Sequence, residues 1–194
     1  MQDLPDKIRA FVALRMSAEV EGAIAAFVAT VREVRSGIRW VRPANLHLTL
    51  RFLGDAVDRN LLLPLDKTLD EIAAQTSPFM LVTHGIGAFP NLESPRTIWI
   101  GLVSEQLMRL AQQVEAAAVQ TGFAPEGRAY SPHLTIGRVR DLRGWQRIRR
   151  ALGQASEHDF GSSQIAEMIL YRSTLGGEAS QYQALARYPL SRAL

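Results

Sequence analysis

The feature that most narrows what this chain can fold into is a duplication. Residues 9–14 ("RAFVAL") read as a strand, and Ser17 stands where it can cap a helix. Val20, Ile24, Phe27, Val31 and Val34 then recur at three- and four-residue spacing as one apolar stripe. An extended region follows, "IRWVRPANLHLTLRFLG", ending at Gly54. The second half repeats the plan. Residues 96–102 ("RTIWIGL") form the strand, Ser104 the cap, and Leu107, Leu110, Val114 and Ala117 the stripe; Gly122 stops the helix before "RAYSPHLTIGRVR". Arg9 and His47 are 38 residues apart, Arg96 and His133 are 37 apart. Two matched strand–helix–strand units predict an α+β fold that is bilobal and pseudo-symmetric. No low-complexity linker separates them, so residues 1–194 are read as a single bilobal domain.

The remaining segments complete the plan. Residues 59–75 read as a helix with Leu62, Leu65, Leu69 and Ile72 on one side, and residues 145–152 as a short helix. Residues 78–89 read as a strand that breaks at "GIGAFP", and residues 165–173 and 183–190 as late strands.

The two extended regions carry the same pattern. Leu46-His47-Leu48-Thr49-Leu50 alternates apolar and polar, so its leucines face a core while His47 and Thr49 share the open face. His133 and Thr135 share a face in the same way, with Leu134 and Ile136 turned inward. An imidazole titrates near pH 6.5, so of two at neutral pH one can accept a proton while the other donates. Opening a cyclic phosphodiester needs both acts, and threonine hydroxyls beside the imidazoles can hold the charged non-bridging oxygens. The near-symmetry of the motifs leaves open which histidine is acid and which is base.

Composition removes other chemistries. With no cysteine there are no disulfides, thiolate nucleophiles or Cys-type zinc sites. Neither histidine strand offers a carboxylate or second histidine on the same face within two residues, and threonine is a poor zinc ligand, so no metal and no cofactor are expected. Asp3 and Asp6 stand where a signal peptide would be basic, and no apolar run reaches the roughly 18 residues of a membrane span. A cytoplasmic monomer without membrane association is the expectation. The net charge is +3, and Lys7 and Lys67 are the only lysines among the 22 cations, which permits a nucleic-acid or nucleotide substrate without demanding one.

A doubled H-x-T motif on duplicated lobes resembles the two-histidine (2H) phosphoesterase superfamily. Within it, "RAFVALRM", "NLHLTLRFLGD", "GIGAFP" with "RTIWIGL", and "RAYSPHLTIGRV" look like the RNA 2′,3′-cyclic phosphodiesterases, historically called 2′-5′ RNA ligases. The resemblance covers nearly the whole chain. It implies two antiparallel sheets facing each other across a central cleft, with helices outside. It also implies metal-independent hydrolysis of an RNA 2′,3′-cyclic phosphate to a 2′-phosphate, with possible reversible 2′-5′ ligation. By that analogy His47 and His133 are the catalytic pair, His47 giving a proton to the leaving O3′ and His133 activating water. Thr49, Thr135 and Arg138 would bind phosphate.

Strict alternation puts Arg138 on the face opposite His133, so it reaches the cleft only if Gly137 permits a bulge. Tyr130 and Phe52 could stack a base, with core packing the plainer role for Phe52. Trp40 and Trp99 read as sheet core, His84 and His158 as surface or structural. Residues 143–150 ("RGWQRIRR") form a basic helical patch, either a solvated face or a contact for an RNA backbone. Competing readings keep the site for 2′-5′ oligonucleotides or small cyclic nucleotides, or reduce the protein to a non-catalytic RNA- or nucleotide-binding module.

Overall fold

A computed structural model describes residues 4–32, 36–176 and 180–191; Val34, the last member of the first stripe, lies outside them. The strands are β1 (Lys7–Leu14), β2 (Ile38–Trp40), β3 (Leu48–Asp58), β4 (Phe79–Phe89), β5 (Thr97–Val103), β6 (His133–Val139), β7 (Asp159–Ile165), β8 (Glu167–Leu175) and β9 (Ser180–Pro189). The helices are α1 (Ala18–Val31), α2 (Leu62–Ala74), α3 (Glu105–Gln120) and α4 (Trp145–Gln154). None of them is long and apolar enough to cross a membrane.

The helices begin where the sequence places their caps. The Ser17 hydroxyl accepts from Val20 N in α1, and the Ser104 hydroxyl accepts from Leu107 N in α3. Each such cap contributes about 1 kcal/mol by satisfying an orphan donor. The stripes are buried at Val20, Ile24 and Val31, and at Leu107, Leu110, Val114 and Ala117.

All strand pairings are antiparallel, in the order β7-β4-β5-β6-β3-β1-β8-β9, with β2 added to β6. This order is two equivalent halves, β3-β1-β8-β9 and β6-β5-β4-β7, meeting at a single registered pair, Leu48 opposite Leu134. Those leucines hold the same place in the two H-L-T motifs. An antiparallel pair between equivalent residues puts the pseudo-twofold axis through that pair.

The two halves interlock. Helix α1 of the first repeat reaches β7 of the second half, where Ser17 N donates to Ser163 Oγ at 2.9 Å and Phe27 packs edge-on against Phe160. Helix α3 of the second repeat reaches β3 of the first, through Glu115 Oε2 at 2.6 Å from Arg51 Nε. The principal core runs continuously through both halves and includes the almost fully buried Leu48, Leu134, Ile98 and Leu107. A second, smaller cluster of Phe11, Ala13, Ile169 and Tyr171 sits on the other face of β1, which explains why that strand is buried on both sides.

Three local features differ from the sequence reading. Strand β4 does not break at "GIGAFP" but continues to Phe89; Gly85, at φ +75°, absorbs an irregularity between Thr83 and Ile86. The late strand expected from residue 165 is preceded by β7, whose polar "DFGSSQI" buries only Phe160, Ser163 and Ile165. The three-residue β2 completes the free edge of β6.

Candidate active site

Where the halves meet, the leucines of both motifs are buried while His47, Thr49, His133 and Thr135 are partly buried on the opposite face. Antiparallel continuation from Leu48–Leu134 sets His47 toward Thr135 and Thr49 toward His133. The four side chains therefore alternate imidazole and hydroxyl around the pseudo-twofold axis.

Both imidazoles are held in the same way. His47 Nδ1 lies 2.7 Å from the carbonyl oxygen of Asn45, and His133 Nδ1 lies 2.8 Å from that of Ser131, each two residues back. A carbonyl only accepts, so Nδ1 carries the hydrogen in both rings and Nε2 is the nitrogen left to gain or lose a proton. Aromatic rings fix the imidazoles from the side. His47 lies 4.8 Å from Phe11 and 5.0 Å from Tyr182, centroid to centroid. His133 meets Phe89 edge-on at 5.0 Å.

Each histidine strand then departs from strict alternation at the same point. In β6, Thr135 pairs with Trp99 and Gly137 with Ile98, so Ile136 is an extra residue. In β3, Thr49 pairs with Ala13 and Arg51 with Val12, so Leu50 is extra. A bulge shifts every later side chain to the other face. Arg138 is thereby returned to the face of His133 and Thr135, which is the condition its involvement required. Gly137 lets this happen, because a Cβ there would stand 3.2 Å from both Ile38 Cγ2 and Trp40 Cε3. In the first repeat the same shift buries Arg51 against Glu115 and Glu126 and turns Phe52 toward the His47 face. Phe52 packs with the small cluster on that face, not with the principal core, under the guanidinium of Arg9.

The surroundings of His47 act strongly on its protonation. Burial pushes His47 down to about 4, opposed by its hydrogen bond to Asn45 and reinforced by the positive charges of Arg15 and Arg138 and by the nearby His133 ring. His47 is therefore neutral at pH 7, and its neighbours in the field include the other histidine and Arg138. Arg15, which sequence reasoning did not single out, is clamped by Glu21 and the Ala44 carbonyl.

Tyr130 has a different place from the one expected of a stacking platform. Its ring packs against the principal core and its hydroxyl donates to the Thr49 carbonyl at 3.0 Å, tying the loop before β6 to β3. Burial raises its hydroxyl well above the ordinary tyrosine range. The aromatic rings in contact with the histidines are instead Phe11 and Tyr182 in one half and Phe89 in the other, with Phe52 packed on the cluster around Phe11 and Trp99 on Phe89. Trp40 packs against the principal core, as its alternation suggests, but Trp99 pairs with Thr135 and shares its face. His158 packs among Phe27 and Phe160, and His84 is exposed on β4. Helix α4 buries Trp145, Ile148 and Leu152 and turns Arg149 outward to Glu93, a solvated charged face. Among the described residues no three His, Asp or Glu side chains are grouped to share a metal ion.

A sequence model of the family described as LigT-like phosphoesterase matches the chain twice in succession, at residues 14–99 and 100–177, one match for each H-x-T motif. An RNA 2′,3′-cyclic phosphodiesterase of Archaeoglobus fulgidus is 33% identical over 92% of this chain and 98% of its own length. One from Methanothermobacter thermautotrophicus is 31% identical over 87% of this chain and 91% of its own. The crystal structure of E. coli LigT in apo form superposes with a TM-score of 0.78 at 25% identity, covering 97% of this chain and 100% of that one. The E. coli protein has also been crystallised with phosphate and with 3′-AMP.

Proposed function

This chain belongs to the LigT-like phosphoesterase family, and from that premise we propose that it hydrolyses 2′,3′-cyclic phosphate ends of RNA to 2′-phosphates without a metal, with His47 and His133 as acid and base. The observation that carries the reading is the matched pair of imidazoles, each with Nδ1 tied to the carbonyl two residues back and Nε2 free on one shared face. Binding a nucleotide does not require two imidazoles oriented in this way; moving two protons does.

In the proposed reaction the cyclic phosphate sits between the motifs, its non-bridging oxygens held by the hydroxyls of Thr49 and Thr135 and by Arg138. His133 Nε2 takes a proton from water as the oxygen bonds to phosphorus. The P–O3′ bond breaks, and His47 Nε2 delivers a proton to O3′, leaving a 2′-phosphate and a free 3′-hydroxyl. His47 starts neutral, so this assignment requires it to take up a proton when the anionic substrate docks. The phosphate charge opposes the effect of Arg15 and Arg138 and makes that uptake possible. A ribose 5′-hydroxyl in place of water would give a 2′-5′ linkage by the same steps, which is the ligation reading.

The test is turnover of an oligonucleotide ending in a 2′,3′-cyclic phosphate, in excess chelator, with the products separated. The reading predicts chelator-resistant conversion to the 2′-phosphate. A 3′-phosphate product would mean that O2′ leaves and would overturn the assignment of the cleft's two ends, while no turnover would overturn the activity itself.

A further inference from the structure

We propose that Arg39 holds a second phosphate, the phosphodiester on the 5′ side of the terminal nucleotide, and so makes the cleft a site for RNA ends over mononucleotides. This rests on the reading that the terminal cyclic phosphate is bound at the histidines.

Arg39 lies in β2 directly opposite Arg138 of β6, and Arg138 in turn lies opposite Thr97 of β5. Residues directly opposite in an antiparallel pair share a face. The register on either side agrees: Ile38 and Trp40 point the other way, toward the site where a Gly137 Cβ would be. Arg39 therefore stands on the face of His133 and Thr135, one strand beyond Arg138.

Like charges directly opposite each other destabilise a sheet. The other arginines of this face are compensated: Arg15 by Glu21, and Arg9 by Asp55. Arg39 and Arg138 have no such partner among the described residues, although Arg39 is half-buried. Two adjacent guanidiniums without carboxylates form a site for anions, and the planar fork suits phosphate oxygens. The charge of Arg138 is felt at His47, so Arg138 belongs with the phosphate at the histidines and Arg39 with the next one out.

The same face also says which way the chain leaves. Beyond His133, which pairs with Gly101, β4 and β5 present the exposed apolar side chains of Val82, Val103 and Met80 and no cation. A string of phosphates is accommodated at the arginine end of β6, not at that end.

The test compares two substrates on the same proteins: a nucleoside 2′,3′-cyclic phosphate with one phosphate, and a short RNA ending in the same group. For Arg39→Ala and Arg39→Gln, kcat/KM on the RNA falls roughly 10- to 100-fold, mainly through KM, the scale of one lost charge-assisted hydrogen bond. Turnover of the one-phosphate substrate stays within about twofold of wild type, which also reports that the variants are folded. The slope of log affinity against log salt for the RNA becomes shallower by about 0.7, one phosphate contact on a single strand. An equal loss on both substrates, or no loss on either, overturns the second subsite while leaving the proposed activity standing. A wild-type protein that turns over neither substrate overturns the activity and this proposal together.

Discussion

To act as a general acid, His47 must take up a proton when substrate binds. Free His47 titrates at about 4 against an ordinary 6.5, so at pH 7 only about one molecule in a thousand carries the proton a general acid needs. Restoring the ordinary value takes roughly 3.4 kcal/mol, at about 1.36 kcal/mol per pH unit. One negative charge about 5 Å away supplies ~3.3 kcal/mol at an effective dielectric constant of about 20. A single phosphate anion between the motifs is thus sufficient, and it raises the protonated fraction at pH 7 to about one in four. NMR titration of the His47 ring, free and saturated with inorganic phosphate, reads this directly. A midpoint near 4 without phosphate, moving up by about 2.5 pH units with it, is expected. A free midpoint near 6.5, or one that phosphate does not raise, would refute the reasoning. The same shift has a consequence for stability. Unfolded His47 binds its proton below about 6.5 and folded His47 only below about 4, so between these values the unfolded state holds more protons. Stability therefore falls as pH drops from about 6.5 to about 4, by up to roughly 3 kcal/mol, and His47→Gln removes that part of the fall.

Three further substitutions probe the frame around the site. Gly137→Val adds three carbons where even a Cβ stands 3.2 Å from Ile38 and Trp40; it should cost about 1–3 kcal/mol in denaturant unfolding and lower kcat/KM as Arg138 moves, and a neutral result would show that the bulge does not depend on glycine. Leu134→Ala, at the fully buried join between the halves, should cost about 2–5 kcal/mol in the same assay. A loss below about 1 kcal/mol would mean that this pair does not hold the halves together. Tyr130→Phe keeps the ring and removes only the bond to Thr49; a loss of about 0.5–1.5 kcal/mol is expected, and unchanged stability would return Tyr130 to the stacking candidates.

What the sequence made legible is what regular geometry encodes. Strict alternation through Leu46–Leu50 and His133–Ile136 placed two histidines and two threonines on open faces, and the helical stripes with their serine caps placed α1 and α3. What it hid depends on single-residue irregularities. Leu50 and Ile136 are the extra residues of two bulges, yet both are apolar and buried, so nothing in the hydrophobic pattern marks the slip. Beyond them alternation predicts the wrong face. Arg51 is buried in an ion-pair network with Glu115 and Glu126, where alternation from Thr49 would turn it outward, and Phe52 reads as core but packs on the small cluster around Phe11. The single glycine after Ile136 was the one available hint.

Short or polar strands escaped for a different reason. Strand β2 has three residues, too few for a period, and β7 pairs through "DFGSSQI", whose serines carry no hydrophobic signal. Without β2 the position of Arg39 opposite Arg138 could not be seen. Trp99 reads as core because tryptophan in a strand is ordinarily core, whereas its alternation with the buried Ile98 and Ile100 assigns it to the cleft face.

Whether His47 and His133 act as one proton-transfer unit is decided by kcat/KM of wild type, His47→Ala, His133→Ala and the double variant on an RNA 2′,3′-cyclic phosphate in excess chelator. A loss of about 10²- to 10⁴-fold is expected for each single substitution, with the double variant little worse than the poorer single, since groups acting as a unit are not additive. Wild-type turnover surviving either substitution would contradict the paired role.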